Sequence, residues 1–380
     1  MSLNPPLLMI AGAKGAVGST VVAAITRIGH EPHAVLPWLT TEGFFDHQRF
    51  YSRMKVAGWD VSAKPIEQSI RDHGVLDAQN FFLSESDLSE IEILQAPSPE
   101  YPVCEQIGQL IHEMDHFKKR HPENHPVLIN LLPAFRPVCL DECEHLEQLC
   151  SQTKQTVMPD LIYALAAVMS AIPVVNFTSN AIEIPLLLSE SLKVRVPLCG
   201  RDGKTGQTYL KVVIASALKA RRLRVNGWYS LNILGNNDGE NLADPDKASE
   251  KVANKTKLLE EILGYKVGQQ YGAPSHKVTI DYYPPRGDNK EAWDVIDFSG
   301  LFGLPMSLRL NLQGRDSILA APLVMDLAVW MAALHCAGRR GLVPELGFYF
   351  KKPLGSSPPV TFEAQLRAIR QLAVECKDIT

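Results

Sequence analysis

The sequence has no surplus of basic charge. Its 38 lysines and arginines stand against 42 aspartates and glutamates among 380 residues, for a formal net charge of -4 and a pI near 6.3. That removes the electrostatic case for a nucleic-acid or anionic-membrane partner. Cysteine is scarce: the seven present form no Cys-x-x-Cys pair, and an odd number argues against a disulfide framework. Cys139, Cys143, His145 and Cys150 fall close together, but "CLDECEHLEQLC" fits an ordinary acidic helix. The remaining histidines, His276 and His335 included, show no ligand spacing, so no metal site is expected. The opening "MSLNPPLLMIAG" lacks the basic start and cleavage site of a secretory signal, which gives a cytoplasmic expectation. Repeats and low-complexity tracts are missing. Only one run is long and apolar, "ILAAPLVMDLAVWMAAL" (Ile318–Leu334). It is short for a membrane span, carries Asp326 in its middle, and has Pro322 where a first helical turn would tolerate it, so it reads as buried helix.

What is present suggests a globular protein of two domains: 42.0 kDa, 46% hydrophobic and 21% charged, is too long for one ordinary core. Up to about residue 200, apolar strands alternate with helical stretches. "LLMIA" is followed by a helix over Val17–Ile28 and then by "HAVLPWL"; "CEQIGQLIHEMDHFKKRH" precedes "PVLINLL"; "LIYALAAVMSA" precedes "IPVVNFT". This is the pattern of a parallel sheet with helices on both faces. From 201 the order changes. "GQTYLKVVIASALKARRL" reads as a helix, and "SHKVTIDYY", "AWDVIDFSG" and "MSLRLNLQG" follow as strands of a mixed or antiparallel sheet. A long buried helix, "GFYFKKPLGSSPP" and a terminal helix complete the chain.

Chemistry concentrates in five stretches. "LLMIAGAKGAVGST" places Gly12, Gly15 and Gly18 three apart, between a strand and a helix. The spacing is neither G-x-G-x-x-G nor a Walker A loop. Its context favours a dinucleotide pyrophosphate at the helix N-terminus, with Ser19 and Thr20 as hydroxyl donors; a tight structural turn is the alternative. Spacing alone nominates Glu42 for the ribose, and the lack of an arginine after "AVLPWL" leans towards NAD over NADP. "RDGKTGQT" (Arg201–Thr208) can seat a second phosphate or simply cap a helix. "LNILGNNDGENL" ends a strand in a tight turn. In "SEKVANKTK", Lys251 and Lys255 share a helix face from which Lys257 turns away, a pattern that a solvated face also produces. In "PPRGDNKEAWD", Lys290 lies just beyond a Gly-Asp turn.

Taken together, "LGNNDGENL", "GDNK", "FSG…RDSILAAPLVMDL" and "GAKGAVGST" resemble the myo-inositol-1-phosphate synthase (inositol-3-phosphate synthase) family, most densely over about 200–335. The resemblance implies an α/β fold. A Rossmann-like NAD-binding domain over residues 1–200 is completed by 318–380, and an α+β catalytic and oligomerisation domain occupies 201–317. It implies an isomerase of inositol and phospholipid biosynthesis that cyclises D-glucose 6-phosphate to myo-inositol phosphate with NAD that is not consumed. The steps are oxidation at C5, enolisation, intramolecular aldol closure and reduction. It also implies a cytoplasmic homotetramer, and it leaves room for a loosely held cation near the pyrophosphate or substrate phosphate.

By motif, the catalytic positions are Lys251, Lys255, Lys290, Lys351, Asp202, Asp238 and Asp316. The cofactor positions are Gly12, Gly15, Ala16, Val17, Gly18, Asp60, Asn130, Asp202, Thr205 and Gly206. "GWDVS" makes Asp60 a better ribose ligand than Glu42. Three features depart from the family pattern. Glu250 and Asn254, not serines, precede the paired lysines; "NLLPAF" replaces an Asn-x-x-Ser-Thr-Glu loop; and Asp160 stands where a small residue is usual. The alternatives are a related cyclase or net dehydrogenase acting on another phosphosugar, or a non-catalytic NAD-binding protein. Four retained lysines speak against the last.

Overall fold

The computed structural model describes all residues except 1–2, 42, 77–87, 136–142, 152–156, 237–238, 241–257, 269–270, 272–274 and 378–380. Six strands come first: β1 (Pro6–Ala11), β2 (Lys55–Asp60), β3 (Ile93–Gln95), β4 (His125–Asn130), β5 (Val174–Asn176) and β6 (Pro197–Gly200). β1, "PLLMIA", is buried at every position, as a strand covered on both faces must be. Four more strands, β7 (Arg224–Leu234), β8 (His276–Tyr282), β9 (Asn289–Ser299) and β10 (Pro305–Arg315), form a separate sheet in the order β10-β9-β7-β8. β7 and β8 are parallel there, and the other two pairings are antiparallel. The short β11 (Gly341–Leu342) then returns to the first sheet beside β6.

The first sheet runs β3-β2-β1-β4-β5-β6-β11 and is parallel throughout. This is the doubly wound Rossmann-like order. Its ligand crevice opens at the carboxyl ends of β1 and β4, where the direction of winding reverses. Val212, Ala215 and Leu218 on the helix Gln207–Ala220 pack on Val225, Trp228 and Ile296 of the mixed sheet, the covering arrangement expected from the sequence.

The long apolar run is the core of the helix Asp316–Cys336. By length and composition alone it could cross a membrane, but 78% of its most apolar window is buried inside the protein. It packs on the helix Ala16–His30 and on β1 and β4. Asp326 accepts from Thr40 N and Oγ1, Thr41 Oγ1 and Tyr51 OH at 2.6–2.9 Å. Those donors satisfy a carboxyl whose pKa burial pushes up.

Three local expectations are corrected. The helix starts at Asp316, so Pro322 sits in its interior and not in its first turn. "HAVLPWL" is not a strand: Pro37 within it and Pro32 just before it lack the amides a central strand donates, and the chain forms two 3-10 turns there, Pro32–Ala34 and Leu36–Trp38. The second strand is instead Lys55–Asp60. Finally, Cys104 and Cys150 form a disulfide with their Cα atoms 5.6 Å apart. An odd cysteine count excludes complete pairing but not one pair. Cys150 ends the only helical part of "CLDECEHLEQLC" among its described residues, Leu146–Cys150.

Candidate active site

The glycine turn lies at the carboxyl end of β1. Gly12 N and Ala13 N both donate to Trp59 O at 3.0 Å. Lys14 N and Ser62 N donate to the two carboxylate oxygens of Asp60 at 2.8 and 2.9 Å. Asp60, at the end of β2, is thus tied to the turn; Glu42 lies outside the described residues. Gly12 has φ +85°, a region that favours glycine. The helix Ala16–His30 that follows carries no side-chain N-cap, so its first amides remain for an anion. The geometry fits a pyrophosphate. The hydroxyls of Ser19 and Thr20 do not serve there, because both turn back onto Ala16 O, at 3.2 and 2.7 Å.

The last two of the three glycines differ in kind. A Cβ on Gly18 would lie 2.4 Å from Gly12 O, whereas one on Gly15 would lie 3.3 Å from the same atom. Gly15→Val is therefore the cleaner probe, and it is expected to weaken NAD at least tenfold while Tm stays within a few degrees. Gly18→Val should lose Tm as well. Calorimetry with thermal melts distinguishes them, and unchanged NAD affinity in Gly15→Val would remove the nucleotide from the turn.

Across the crevice, the turn after β6 pairs with a distant segment. Arg201 N donates to Lys352 O (2.8 Å), Lys351 N to Asp202 O (2.7 Å) and Lys204 N to Tyr349 O (2.8 Å), a short irregular ribbon. The ribbon brings Lys351 Nζ to 2.6 Å from Asp202 Oδ1. Three residues on, Thr205 Oγ1 donates to Asp316 Oδ1 (2.9 Å), and Lys290 Nζ reaches Asp316 Oδ2 (3.0 Å). Burial alone would raise the Asp316 carboxyl. The charge and hydrogen bond of Lys290, the charge of Lys351 and the Thr205 hydroxyl outweigh it and hold it down to about 2. Two acid–lysine pairs therefore flank one turn. Gly206 caps the next helix, and Gln207 just inside it is anchored by Asp294 Oδ2 at 2.9 Å.

The two motif turns "LGNNDG" and "GDNK" meet directly. A Cβ on Gly235 would lie 2.3 Å from Gly287 N, so the backbones stack with no room for a side chain. Asn236 Nδ2 and Ser317 Oγ both donate to Asp288 Oδ1, at 3.3 and 2.9 Å. Asp238, Lys251 and Lys255, together with Lys257, lie outside the described residues. Sequence reasoning missed Asn232. It is fully buried on β7, and neither side-chain polar atom has a hydrogen-bond partner among the described residues. Its place five residues before Asn237 in a strand gave no signal, since alternation marks it only as inward.

Asn130 is also fully buried, with its amide committed to Asp160 and Asn176. Lys204 is buried beside the ribbon, its Nζ donating to Gly347 O (3.0 Å) and Gln365 Oε1 (2.8 Å). Burial lowers its pKa from the ordinary 10.5 to about 7. Above about pH 7 the folded chain releases a proton that the unfolded chain keeps until about 10.5, so this residue's contribution to stability rises with pH across that window. Denaturant unfolding should show a slope of up to about 1.4 kcal/mol per pH unit between pH 7.5 and 9 that Lys204→Met lacks. Parallel profiles would contradict it.

Residues 206–317 match the profile of the myo-inositol-1-phosphate synthase family. Over that stretch the chain is similar to these synthases. Inositol-3-phosphate synthase 1 of Bacteroides thetaiotaomicron is 43% identical over 202 residues, 53% of this chain and 47% of its own length. An inositol-3-phosphate synthase of Spirodela polyrhiza is 29% identical over 238 residues, covering 60% and 46%. The chain thus spans about half the length of the curated relatives it matches. Among solved structures, inositol-3-phosphate synthase of Caenorhabditis elegans superposes with a TM-score of 0.81 at 19% identity, over 99% of this chain and 86% of that one. A myo-inositol-1-phosphate synthase-related protein of Thermotoga maritima gives 0.79 at 21%, over 98% of each. At these identities the superpositions speak for the fold.

Proposed function

We propose that the chain is an NAD-dependent, redox-neutral isomerase that cyclises D-glucose 6-phosphate to myo-inositol phosphate. The observation that carries this reading is the pair of acid–lysine contacts, Lys351 with Asp202 and Lys290 with Asp316, on opposite flanks of one turn. Cyclisation develops negative charge on oxygen twice, at C5 in the enolate and at C1 in the aldol step. Fixed cations held by carboxylates need no reorganisation when that charge appears. The chemistry a bound NAD would supply is reversible hydride transfer, from C5 and back to the ring ketone.

The chain's own groups divide the rest of the work. The amides at the start of the helix Ala16–His30 would hold the pyrophosphate, and Asp60 would take the ribose hydroxyls. Lys290 and Lys351 neutralise the developing oxyanions, with Asp316 and Asp202 fixing their ammonium groups. Asn232, buried without a hydrogen-bond partner among the described residues, supplies donor and acceptor to the phosphosugar. Lys251, Lys255 and Asp238 join the same set through the resemblance alone. In this reading residues 1–200 with 318–380 hold the cofactor and 201–317 carry catalysis and assembly. Exposed apolar side chains on and beside β9 and β10 support the assembly: Trp293, Leu304, Met306 and Leu308 leave an apolar surface that favours a second copy over solvent and fits a homotetramer. The protein is read as cytoplasmic, its partner a small phosphosugar.

The test is incubation with glucose 6-phosphate and catalytic NAD, with products followed by NMR. An inositol phosphate without net NADH supports the proposal. Stoichiometric NADH would make the protein a dehydrogenase, and no turnover with retained NAD binding would make it a binding protein.

A further inference from the structure

Two of the departures from the family pattern, Asp160 and the loop "NLLPAF", touch each other. Asp160, the second residue of the helix Pro159–Met169, is 1% exposed. Its Oδ1 accepts from Asn130 Nδ2 (2.7 Å), Asn180 Nδ2 (2.9 Å) and Thr178 Oγ1 (3.2 Å). One carboxylate oxygen therefore gathers side chains from the ends of both β4 and β5.

Each of those side chains fixes backbone beyond it. Asn180 Nδ2 also donates to Pro133 O, and its Oδ1 accepts from Phe135 N, while Asn130 Oδ1 accepts from Leu132 N. Together they clamp the loop 131–135. That loop lies against the glycine turn, since a Cβ on Gly12 would be 3.0 Å from Leu131 O. On the other side, Thr178 O accepts from Asp202 N at 2.6 Å, and Phe177 O accepts from Gly203 N at 3.0 Å. The backbone carrying the Asp202–Lys351 pair therefore hangs from the same hub.

We infer that Asp160 is a positioning residue, which sets the cofactor-side loop 131–135 through Asn180 and the catalytic pair Asp202–Lys351 through Thr178. A negative end at the start of a helix suits the site electrostatically, and burial pushes the carboxyl up against the pull of its three donors. The inference rests on the proposed function for its catalytic half, and its structural half is read without any ligand.

The test uses Asp160→Ala, Asp160→Asn and Thr178→Val in the full chain. In the unliganded protein, hydrogen exchange in peptides spanning 131–135 and 200–205 should quicken at least tenfold in Asp160→Ala and return most of the way in Asp160→Asn, which keeps an acceptor oxygen. NAD affinity by calorimetry and kcat should each fall about tenfold in Asp160→Ala. Thr178→Val, which loses one hydroxyl, should lower kcat while NAD affinity stays within twofold. Exchange, affinity and kcat all within twofold of the parent in a folded Asp160→Ala would overturn the inference. If that variant does not fold, unchanged kcat in Thr178→Val overturns it. A parent that fails to bind NAD overturns the proposed function and the catalytic half together, whereas a binding parent with unaltered variants overturns this inference alone.

Discussion

Replacing Lys290 by methionine is expected to lower kcat by two or more orders of magnitude, on the order of 3 kcal/mol of transition-state stabilisation. The ammonium is held 3.0 Å from Asp316 on the flank of the turn that carries Thr205, so its charge is fixed before any substrate arrives. NAD affinity should barely move, because the lost contact is made to the substrate. The exposed Lys277 on β8 is the control, and its methionine variant should turn over like the parent. Equal and mild effects of the two substitutions would sink the assignment. They would also remove the main reason for reading the molecule as a synthase.

A second large effect is expected at Lys351, and here stability and catalysis should separate. Its partner Asp202 has a side chain only 6% exposed, so Lys351→Met takes the cation at 2.6 Å away from a buried carboxylate. Breaking such a pair from one side costs about 3 kcal/mol, while removing both charges together is close to neutral. Lys351→Met should therefore lose about that much unfolding free energy and at least two orders of magnitude in kcat. The double variant Asp202→Asn with Lys351→Met should regain most of the stability and none of the turnover. Additive losses in stability would show that the two side chains do not act as a pair. Near-parental turnover in Lys351→Met would take that lysine out of the site.

Much of this site was legible because its parts are local. A strand, three glycines and a helix within fourteen residues can mean little else than a close backbone turn, and "LGNNDG" and "GDNK" each announce a turn at a strand end. What local pattern could not reveal is which turns touch. Asp202 and Lys351 are 149 residues apart, joined by backbone bonds of a ribbon that neither segment's periodicity predicts. Resemblance supplied that link where physics on the sequence could not. The strand at Lys55–Asp60 is hard to see because "KVAGWD" is short and its glycine weakens any strand pattern, while "HAVLPWL" looks better until its Pro37 and the preceding Pro32 are given their due. Asp160 was visible only as an oddity. Its partners come from the ends of two other strands, and no spacing rule connects them.

The helix Asp316–Cys336 has a consequence for how the molecule is made. Its side chains complete the core on one face of the parallel sheet, against Leu8 and Ile10 of β1 and Val127 and Ile129 of β4. Those strands leave the ribosome first, and the helix that covers them is translated almost two hundred residues after β4 ends. During synthesis the growing chain therefore presents a bare, strand-rich apolar surface for many seconds, the situation in which nascent chains aggregate or engage a chaperone. A fragment ending near residue 200 would hold that surface open permanently. In folding terms, the parallel-sheet half of this protein waits for the helix Asp316–Cys336.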